Sequence, residues 1–585
     1  MRTEGPPGDA TLQVAFDLHQ QGDFSAALAI YRALLQTYPD NPQVLGLLGS
    51  ACRMTGDSEE AVECLRRAVA AAPLRIDLKA EYGIALAEAG EHARAIDLLE
   101  DLLPALAAQK QDAAVVYAAL GDACLGLERL YEAVGHYRTA IAKEPENTAA
   151  AVNLGTALQR LGRHKEAIAA YEAALRLEPS NLGAMTNLGV ALQEFGQVDD
   201  SLAILKCAAA LAPSDPGIRT DLAVSLLKAG DSDGAEEALN RAIASDSGYG
   251  RAWSNLGNLL QSRLLLAEAR MAHESALALD PDDPEFHWNH SITLLLDGAL
   301  KDGFAEYEWR RKIPGFGNRQ ITGAAWDGSK PRGRTILVYA EQGLGDTLQF
   351  CRYAPLLTRA GAKVVLACPE KLAPLLSTLD GPVEIVSSLD AVSFYDCQAP
   401  VMSLPHLMGT TFKTIPVSVP YLSVPPGAAS PLPASQKGSR IGLVWAGNPN
   451  NPNARHRSIP LEALRPLFAL EGIEWISLQE GPARKQILGT GLPIADLAPD
   501  LSATAAAMAE LDLVITVDTA TAHLAGALGR PFWLLLSYAP DWRWLLGRDD
   551  SPWYPTARLF RQPAAGGWAP VVEDVRDQLR AFTKH

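Results

Sequence analysis

TAAAVNLGTALQRLGRHKEAIAAYEAALRLEPSN, residues 148–181, is one copy of a 34-residue unit that recurs through the first half of the chain. It places small residues at Gly155 and Ala167 and a bulky one at Tyr171. Gly162 falls mid-unit, where a turn has to join two helices. The unit therefore predicts two antiparallel helices that approach closely at the small residues, with the bulky side chain filling the gap to the next pair.

The unit repeats in register, and its closing proline marks the period. This proline stands at Pro39, Pro73, Pro145, Pro179, Pro213 and Pro281. In period and in its glycine, alanine and proline positions the unit resembles the tetratricopeptide repeat (TPR). The resemblance implies an α-solenoid of about nine units over residues 8–311, with a groove lined by the first helix of each unit.

A row of asparagines occupies the sixth position of the later units. Its members are Asn153, Asn187, Asn255 and Asn289, with Asp221 between them. An amide offers both donors and an acceptor, so such a row could hold the backbone of an extended protein acceptor. In the TPR-bearing O-GlcNAc transferases, which this half resembles, an asparagine ladder has that role. Asparagine is also common at this position in TPR sequences generally, and both interpretations stay open.

The composition limits the classes of partner. The formal net charge of −17 argues against a nucleic-acid partner. The seven cysteines form no C-x-x-C pair, which disfavours a disulfide framework or a zinc site and fits a reducing cytoplasm. Residues 1–10 contain no apolar core of a signal peptide. The sequence also lacks an apolar run of 18 residues, the length that would predict a membrane span. We therefore expect a cytoplasmic protein.

The last repeat departs from the pattern. His287 and His290 stand one helical turn apart, beside Trp288. They could form a metal pair, but the sequence offers no third ligand nearby. The alternative is that this helix caps the array against the next domain, with FAEYEWRR, residues 304–311, closing the unit.

After the repeats, short apolar runs alternate with helical stretches. Strands are predicted at 335–340, 362–367, 383–386, 441–445, 474–478, 513–517 and 532–536, and helices at 346–358, 461–470, 503–510 and 521–528. Such alternation indicates parallel sheets with ligands bound outside the carboxyl ends of the strands. The predicted organisation is a linker at 312–333, a lobe at 334–424, a second linker at 425–438 and a second lobe at 439–585.

Two turns between a strand and a helix carry candidate chemistry. The first is EQGLGDTLQF, residues 341–350, in which Asp346 is either a helix N-cap paired with Gln349 or a general base. The second is VDTATAH, residues 517–523, where the start of a helix could bind a diphosphate. His523 could reach a phosphate or a sugar hydroxyl, while Asp518 and Thr519 could simply cap the helix.

A third candidate element is the loop that begins at Gly447 and continues to Arg455, His456 and Arg457. Arginine suits phosphate because its planar fork binds two oxygens. The alternative is a solvated surface loop.

These motifs together resemble glycosyltransferase family nine, the heptosyltransferase family of GT-B fold. The resemblance covers about residues 334–580 and implies an α + α/β protein, in which a TPR solenoid precedes a GT-B enzyme of two Rossmann-like lobes. It makes Asp346, after Gly345, the catalytic base. It also implies donor-binding roles for Gly345, Arg457, Asp518, Thr519, Ala520 and His523. Ala520 stands where the family usually has glycine, which puts the identity of the donor sugar in doubt.

The fused repeats resemble bacterial TPR-linked enzymes that glycosylate proteins, including flagellin. The resemblance implies inverting transfer from a nucleotide sugar to a protein hydroxyl, with a nonulosonic acid as a candidate sugar and with no metal or cofactor. A non-catalytic scaffold and a glycolipid transferase are the alternatives. The aromatic stretches DWRW at 541–544 and SPWYP at 551–555 could form walls for sugar rings or pack the two lobes together.

Overall fold

The computed structural model describes residues 9–109, 112–316, 321–432, 438–449, 451, 454–497 and 500–582. By its contacts the chain divides into two compact units, Met1–Ser247 and Gly248–His585. The last helices of the repeat thus belong to the unit that also contains the sheets. The predicted domain boundaries, which follow the repeat pattern, stay predictions.

The described part of the first unit consists of helices that pack in consecutive antiparallel pairs. They are Asp9–Gln20 (α1), Phe24–Thr37 (α2), Pro42–Met54 (α3), Ser58–Ala71 (α4), Ile76–Glu88 (α5), His92–Ala108 (α6), Ala114–Gly126 (α7), Leu130–Lys143 (α8), Thr148–Arg160 (α9), His164–Leu177 (α10), Leu182–Phe195 (α11), Val198–Leu211 (α12), Pro216–Ala229 (α13) and Ser232–Ser245 (α14).

The small and bulky positions meet as the sequence predicts. A Cβ on Gly155 of α9 would lie 2.5 Å from the ring of Tyr171 on α10, so only glycine allows this approach. Gly162 has a φ of +72° between the two helices, a conformation that favours glycine. The sequence pattern therefore predicts both the pairing of the helices and the turn between them.

The second unit begins with four more helices of the repeat and continues with further helices between and after the strands. They are Gly250–Ser262 (α15), Leu266–Leu279 (α16), Pro284–Leu296 (α17), Leu300–Tyr307 (α18), Leu344–Phe350 (α19), Ala354–Arg359 (α20), Ala373–Leu376 (α21), Leu404–Leu407 (α22), Ala454–Arg457 (α23), Leu501–Ala509 (α24), Ala520–Ala527 (α25) and Ala569–Phe582 (α26). Among the described residues, no helix is both long and apolar enough to cross a bilayer.

Two parallel sheets complete the second unit. Their strands are Thr335–Tyr339 (β1), Lys363–Ala367 (β2), Val383–Val386 (β3), Cys397–Pro400 (β4), Ser439–Val444 (β5), Ile473–Ser477 (β6), Ile494–Asp496 (β7), Leu513–Val517 (β8), Phe532–Leu536 (β9) and Ala557–Arg561 (β10). The described strand orders are β3-β2-β1-β4 and β10-β9-β8-β5-β6-β7. A helical array followed by parallel sheets confirms the predicted α + α/β class.

The structure corrects two predicted helices and adds strands. The helix predicted at 346–358 is broken into α19, a 3-10 turn and α20, because Pro355 lacks an N–H and clashes with the preceding turn. The helix predicted at 461–470 is a 3-10 helix over Leu461–Ala469 that contains Pro466. The strands β4, β7 and β10 are not predicted from the sequence, because CQAP, IAD and ARLFR contain polar residues or proline and form no continuous apolar run.

Segments predicted as linkers are partly structured. In the first, Trp326 is buried and Ala325 forms a β-bridge with Gln398 of β4. Residues 317–320 of this linker and 433–437 of the next lie outside the described residues. The first linker therefore adds to the edge of the first sheet.

The last repeat packs against the sheets, as the capping interpretation predicts. Leu295 and Leu296 of α17 share an apolar core with residues of both sheets, and Trp288 packs on Tyr307. His287 pairs with Glu306 of α18. The described residues contain no group of three or more potential ligands with the geometry to hold a metal.

Replacing His273 with leucine is expected to stabilise the second unit. His273 of α16 is fully buried against Gly257, and neither ring nitrogen has a hydrogen-bond partner among the described residues. Burial, with a smaller effect of the nearby His290, lowers the pKa of His273 to about 3. The unfolded chain takes up a proton near pH 6.5 while the folded chain does not, so folding loses stability as the pH falls below that value.

For His273→Leu we expect a gain of about 1 kcal/mol at pH 7 and about 2 kcal/mol more at pH 5. All 11 tryptophans lie at or after Trp253, so tryptophan fluorescence during urea unfolding reports the second unit. His406→Gln, at an exposed position, is the matched control. An equal loss of stability from pH 7 to pH 5 in native protein and variant would contradict the prediction.

Candidate active site

The candidate site lies at the carboxyl ends of the two sheets. In the first sheet β1 lies between β2 and β4, and in the second β5 lies between β8 and β6. From β1, and likewise from β5, the chain builds the sheet first on one side and then on the other. Open parallel sheets form a crevice for ligands where the strand order reverses in this way. The loops after β1, β5, β8 and β9 supply the polar residues described below.

Asp346 lies in the turn after β1, but it is not the helix cap that the sequence suggests. Helix α19 begins at Leu344, with Gly343 as its N-cap, and Asp346 is its third residue. Its Oδ2 accepts a hydrogen bond of 2.8 Å from the backbone N–H of Gly343. The predicted partner Gln349 is buried instead, and its Oε1 accepts from Arg543. About 21% of the Asp346 side chain stays exposed, so the carboxylate is accessible.

Gly345 and His523 bring α19 and α25 together. A Cβ on Gly345 would lie 2.9 Å from Cδ2 of His523 and 3.4 Å from Cα of Ala520. The ring of His523 is buried and stacks on Trp544. Its Nδ1 lies 2.9 Å from the hydroxyl oxygen of Tyr554. The structure thus places Gly345, Ala520 and His523 at this helix contact, and their roles in donor binding stay predictions.

Burial and the nearby guanidinium of Arg543 lower the pKa of His523 to about 3, so the ring is neutral at pH 7. A neutral ring can offer a hydrogen bond but no positive charge. Any cation that meets a phosphate at this site must therefore come from an arginine.

Arg457 and Asp518 meet across the loops after β5 and β8. Nη1 of Arg457 lies 3.2 Å from Oδ2 of Asp518, which is buried. Burial raises the pKa of Asp518, as does the neighbouring carboxylate of Asp541, while Arg457 opposes the shift. Arg455 lies on the same short helix α23, and residues 450, 452 and 453 of this loop lie outside the described residues.

Thr519 is the N-cap of α25 but makes no side-chain hydrogen bond to the helix. Residues 519–521 are only partly buried, and the helix has eight residues. The helix start directly follows Asp518, which is the partner of Arg457. This arrangement suits an anion, because a helix start carries partial positive charge.

Arg543 and Asp541 were not recognised as site residues from the sequence. Nη2 of Arg543 lies 2.6 Å from Oδ1 of Asp346, and Nη1 lies 2.8 Å from Oδ1 of Asp541. Burial opposes ionisation of Asp541, but Arg543 outweighs it and the pKa of Asp541 is lowered. The only signal in the sequence was the charge within the aromatic stretch DWRW.

The tryptophans of the stretches DWRW and SPWYP pack in the protein core and do not form a wall for sugar rings. Trp544 and Trp553 are buried in the core that both sheets share. Arg352 is enclosed between Tyr421 and Tyr554 and donates to the carbonyl of Trp553. The packing alternative is therefore confirmed for both tryptophans.

The four asparagines of the predicted ladder lie on the first helices of their pairs and are half-buried. Asn153 and Asn187 belong to the first unit, and Asn255 and Asn289 belong to the second. Asn153 donates to Asp122 and Asn289 donates to Ser254, and each acceptor lies on the first helix of the preceding repeat. One N–H of each of these two amides therefore links neighbouring repeats, and their role in acceptor binding stays a prediction.

Comparison with protein-family models supports the two halves separately. Tetratricopeptide repeat models match residues 18–81, 55–114, 118–181, 152–216 and 196–260. The model of glycosyltransferase family 9 (heptosyltransferase) matches residues 476–542, which include Asp518, Thr519, Ala520 and His523. The chain thus carries tetratricopeptide repeats joined to a domain of glycosyltransferase family 9.

Among characterised sequences the chain is homologous to protein FlbA of Caulobacter vibrioides, with 28% identity over 355 residues. The match covers 54% of this chain and 59% of FlbA. Among solved structures, the Cut9–Hcn1 hetero-tetramer of APC/C gives a TM-score of 0.36 at 17% identity, covering 52% of this chain and 60% of that one. A tetratricopeptide repeat protein of Parabacteroides merdae gives 0.36 at 15%, covering 45% and 98%.

Proposed function

We propose that the protein is a cytoplasmic glycosyltransferase of GT-B fold that moves a sugar from a nucleotide donor to a hydroxyl of a protein acceptor. The observation that carries the proposal is the contact between Asp346 after β1 and Arg543 after β9, next to the Arg457–Asp518 pair. The turn that carries Asp346 and the start of α25 lie close together, since Gly345 packs against Ala520 and His523. The match to glycosyltransferase family 9 supports the same reaction class.

In the proposed inverting mechanism Asp346 removes the proton of the acceptor hydroxyl as its oxygen attacks the anomeric carbon. The bond from that carbon to the phosphate oxygen breaks, and the phosphate leaves with the electron pair. Negative charge then grows at the start of α25, where backbone N–H groups and Arg457 stabilise it. The proton on Asp346 passes to solvent through its exposed face.

We propose that this charge stabilisation operates without a metal or a cofactor. The two D-x-D sequences of the repeats serve as helix ends: Asp231 caps α14 and Asp280 follows α16. We expect transfer to persist in EDTA, and activity that is lost in EDTA and restored by Mg²⁺ or Mn²⁺ would overturn the metal-free mechanism.

The proposed acceptor is a protein held by the repeats through its backbone, with a flagellin-like protein and a nonulosonic acid as candidate acceptor and sugar. Asn187 and Asn255 suit this role because their side chains make no hydrogen bond within the described residues. The test is intact-mass analysis of proteins from cells with and without the gene. A sugar mass present only with the gene supports the proposal, whereas a mass on a lipid would indicate a glycolipid transferase.

The same assay tests the groove. For the full-length double variant Asn187→Ala, Asn255→Ala we expect about a tenfold loss of acceptor modification, because two hydrogen bonds to the acceptor are removed. Nucleotide release from the donor should stay unchanged. Asn240→Ala, at an exposed position on α14, is the matched control. Native levels of modification in the double variant would refute the asparagine ladder.

A further inference from the structure

We propose that Arg543 is a positioning residue for the transfer reaction and acts by fixing the carboxylate of Asp346. This inference rests on the proposed function and adds to it a residue from the second sheet. Arg543 belongs to the loop after β9, while Asp346 belongs to the turn after β1. The base on one sheet is therefore oriented by a residue that follows the other.

Two hydrogen bonds fix the orientation of the Asp346 carboxylate. Oδ1 accepts from Nη2 of Arg543 at 2.6 Å, and Oδ2 accepts from the N–H of Gly343 at 2.8 Å. Each oxygen keeps further acceptor capacity, because a carboxylate oxygen has two lone pairs. Each oxygen is thus held by one hydrogen bond while part of the side chain stays exposed, so a hydroxyl can reach a lone pair that remains free.

Arg543 is itself held on several sides. Its Nε donates to Oε1 of Gln349 at 2.8 Å, and its Nη1 donates to Oδ1 of Asp541 at 2.8 Å. Its guanidinium carbon lies 4.3 Å from the ring centre of Trp542. A planar fork with five donors can serve three partners at once, and a lysine ammonium in the same place cannot match that geometry.

The charged and titratable groups around Asp346 define the electrostatic role of Arg543. Tyr307 at the end of α18, Glu341 in the same turn and His523 on α25 are neutral or acidic. Asp541 lies on the far side of Arg543. Arg543 is thus the cation in contact with Asp346 among the described residues.

The experiment compares the native full-length chain with Arg543→Gln, Arg543→Lys, Asp346→Asn and the double variant Asp346→Asn, Arg543→Gln. The readout is nucleotide release from UDP-, GDP-, ADP- and CMP-linked sugars between pH 5 and pH 9. Arg548→Gln is the matched control, since Arg548 pairs with Asp550 near the surface of the same lobe.

For Arg543→Gln we expect kcat to fall about 100-fold with KM within about threefold, because the base is misplaced while donor binding persists. Arg543→Lys should stay about tenfold slower than the native chain, because a lysine ammonium cannot hold the carboxylate of Asp346 in the same geometry. In the Asp346→Asn background, Arg543→Gln should have no further effect.

A native kcat in Arg543→Gln would overturn the proposal, as would the same 100-fold loss in the Asp346→Asn background. A crystal structure of Arg543→Gln tests the positioning independently of activity. We expect the Asp346 carboxylate to leave its present orientation, and an unchanged orientation would overturn the proposal. Failure of the native chain to release nucleotide from any of the four donors would count against the proposed function instead.

Discussion

Asp346→Asn is expected to lower kcat for transfer by about 10³-fold, because an amide cannot take up the proton of the acceptor hydroxyl. The amide oxygen can still accept the N–H of Gly343, so the turn should keep its shape. Binding of UDP, GDP, ADP or CMP, measured by calorimetry on the full-length chain, should stay within about twofold. The loss should therefore appear in the chemical step.

Asp380→Asn is the matched control for this variant, since Asp380 is exposed in the same lobe and pairs only with Arg359 among the described residues. It should transfer at the native rate. Native turnover by Asp346→Asn would remove Asp346 as the base and direct attention to another proton acceptor. A parallel loss of nucleotide binding would instead show that the variant disturbs the donor side.

The second large effect is expected on stability, from Arg310→Met. Arg310 is fully buried and donates to Glu341 at 2.7 Å and to Ser403 at 2.8 Å. Burial raises the pKa of Glu341, while Arg310 opposes that shift and supports the ionised form. Removing the guanidinium leaves a buried carboxylate without its cation, which costs about 3–5 kcal/mol.

Urea unfolding followed by tryptophan fluorescence measures this loss in the second unit. Arg311→Met is the matched control because Arg311 is the partly exposed neighbour, and its effect should stay within about 0.5 kcal/mol. The double variant Arg310→Met, Glu341→Gln should recover part of the loss, since the neutral amide can still accept from the N–H of Met402. Equal midpoints for Arg310→Met and Arg311→Met would show that the buried pair contributes little.

The helical array could be read from the sequence because its information is local and repeated. Gly155 and Tyr171 are 16 residues apart, and the same spacing recurs with Gly121 and Tyr137. Each copy specifies its own pair of helices, so a wrong prediction for one repeat does not change the prediction for the next. The strands β1, β5, β8 and β9 could also be predicted, because buried parallel strands form short apolar runs between turns.

The contacts around Asp346 could not be predicted, since they join residues far apart in the chain. Arg543 lies 197 positions after Asp346 in the sequence. No sequence pattern connects Arg310 with its partner Glu341. Whether a charged residue next to tryptophan faces solvent or a distant carboxylate depends on packing that a single sequence does not specify. The sequence therefore predicts the candidate turns, and the structure identifies the groups that contact Asp346.

The division of contacts between Ser247 and Gly248 also indicates where such proteins could be rearranged during evolution. The helices from α17 onward share a core with the sheets, so a gene fusion that kept only the residues after 311 would expose apolar surface. A junction between residues 247 and 248 would keep α15 to α18 together with the sheets. Repeat arrays of other lengths could then precede an unchanged second unit.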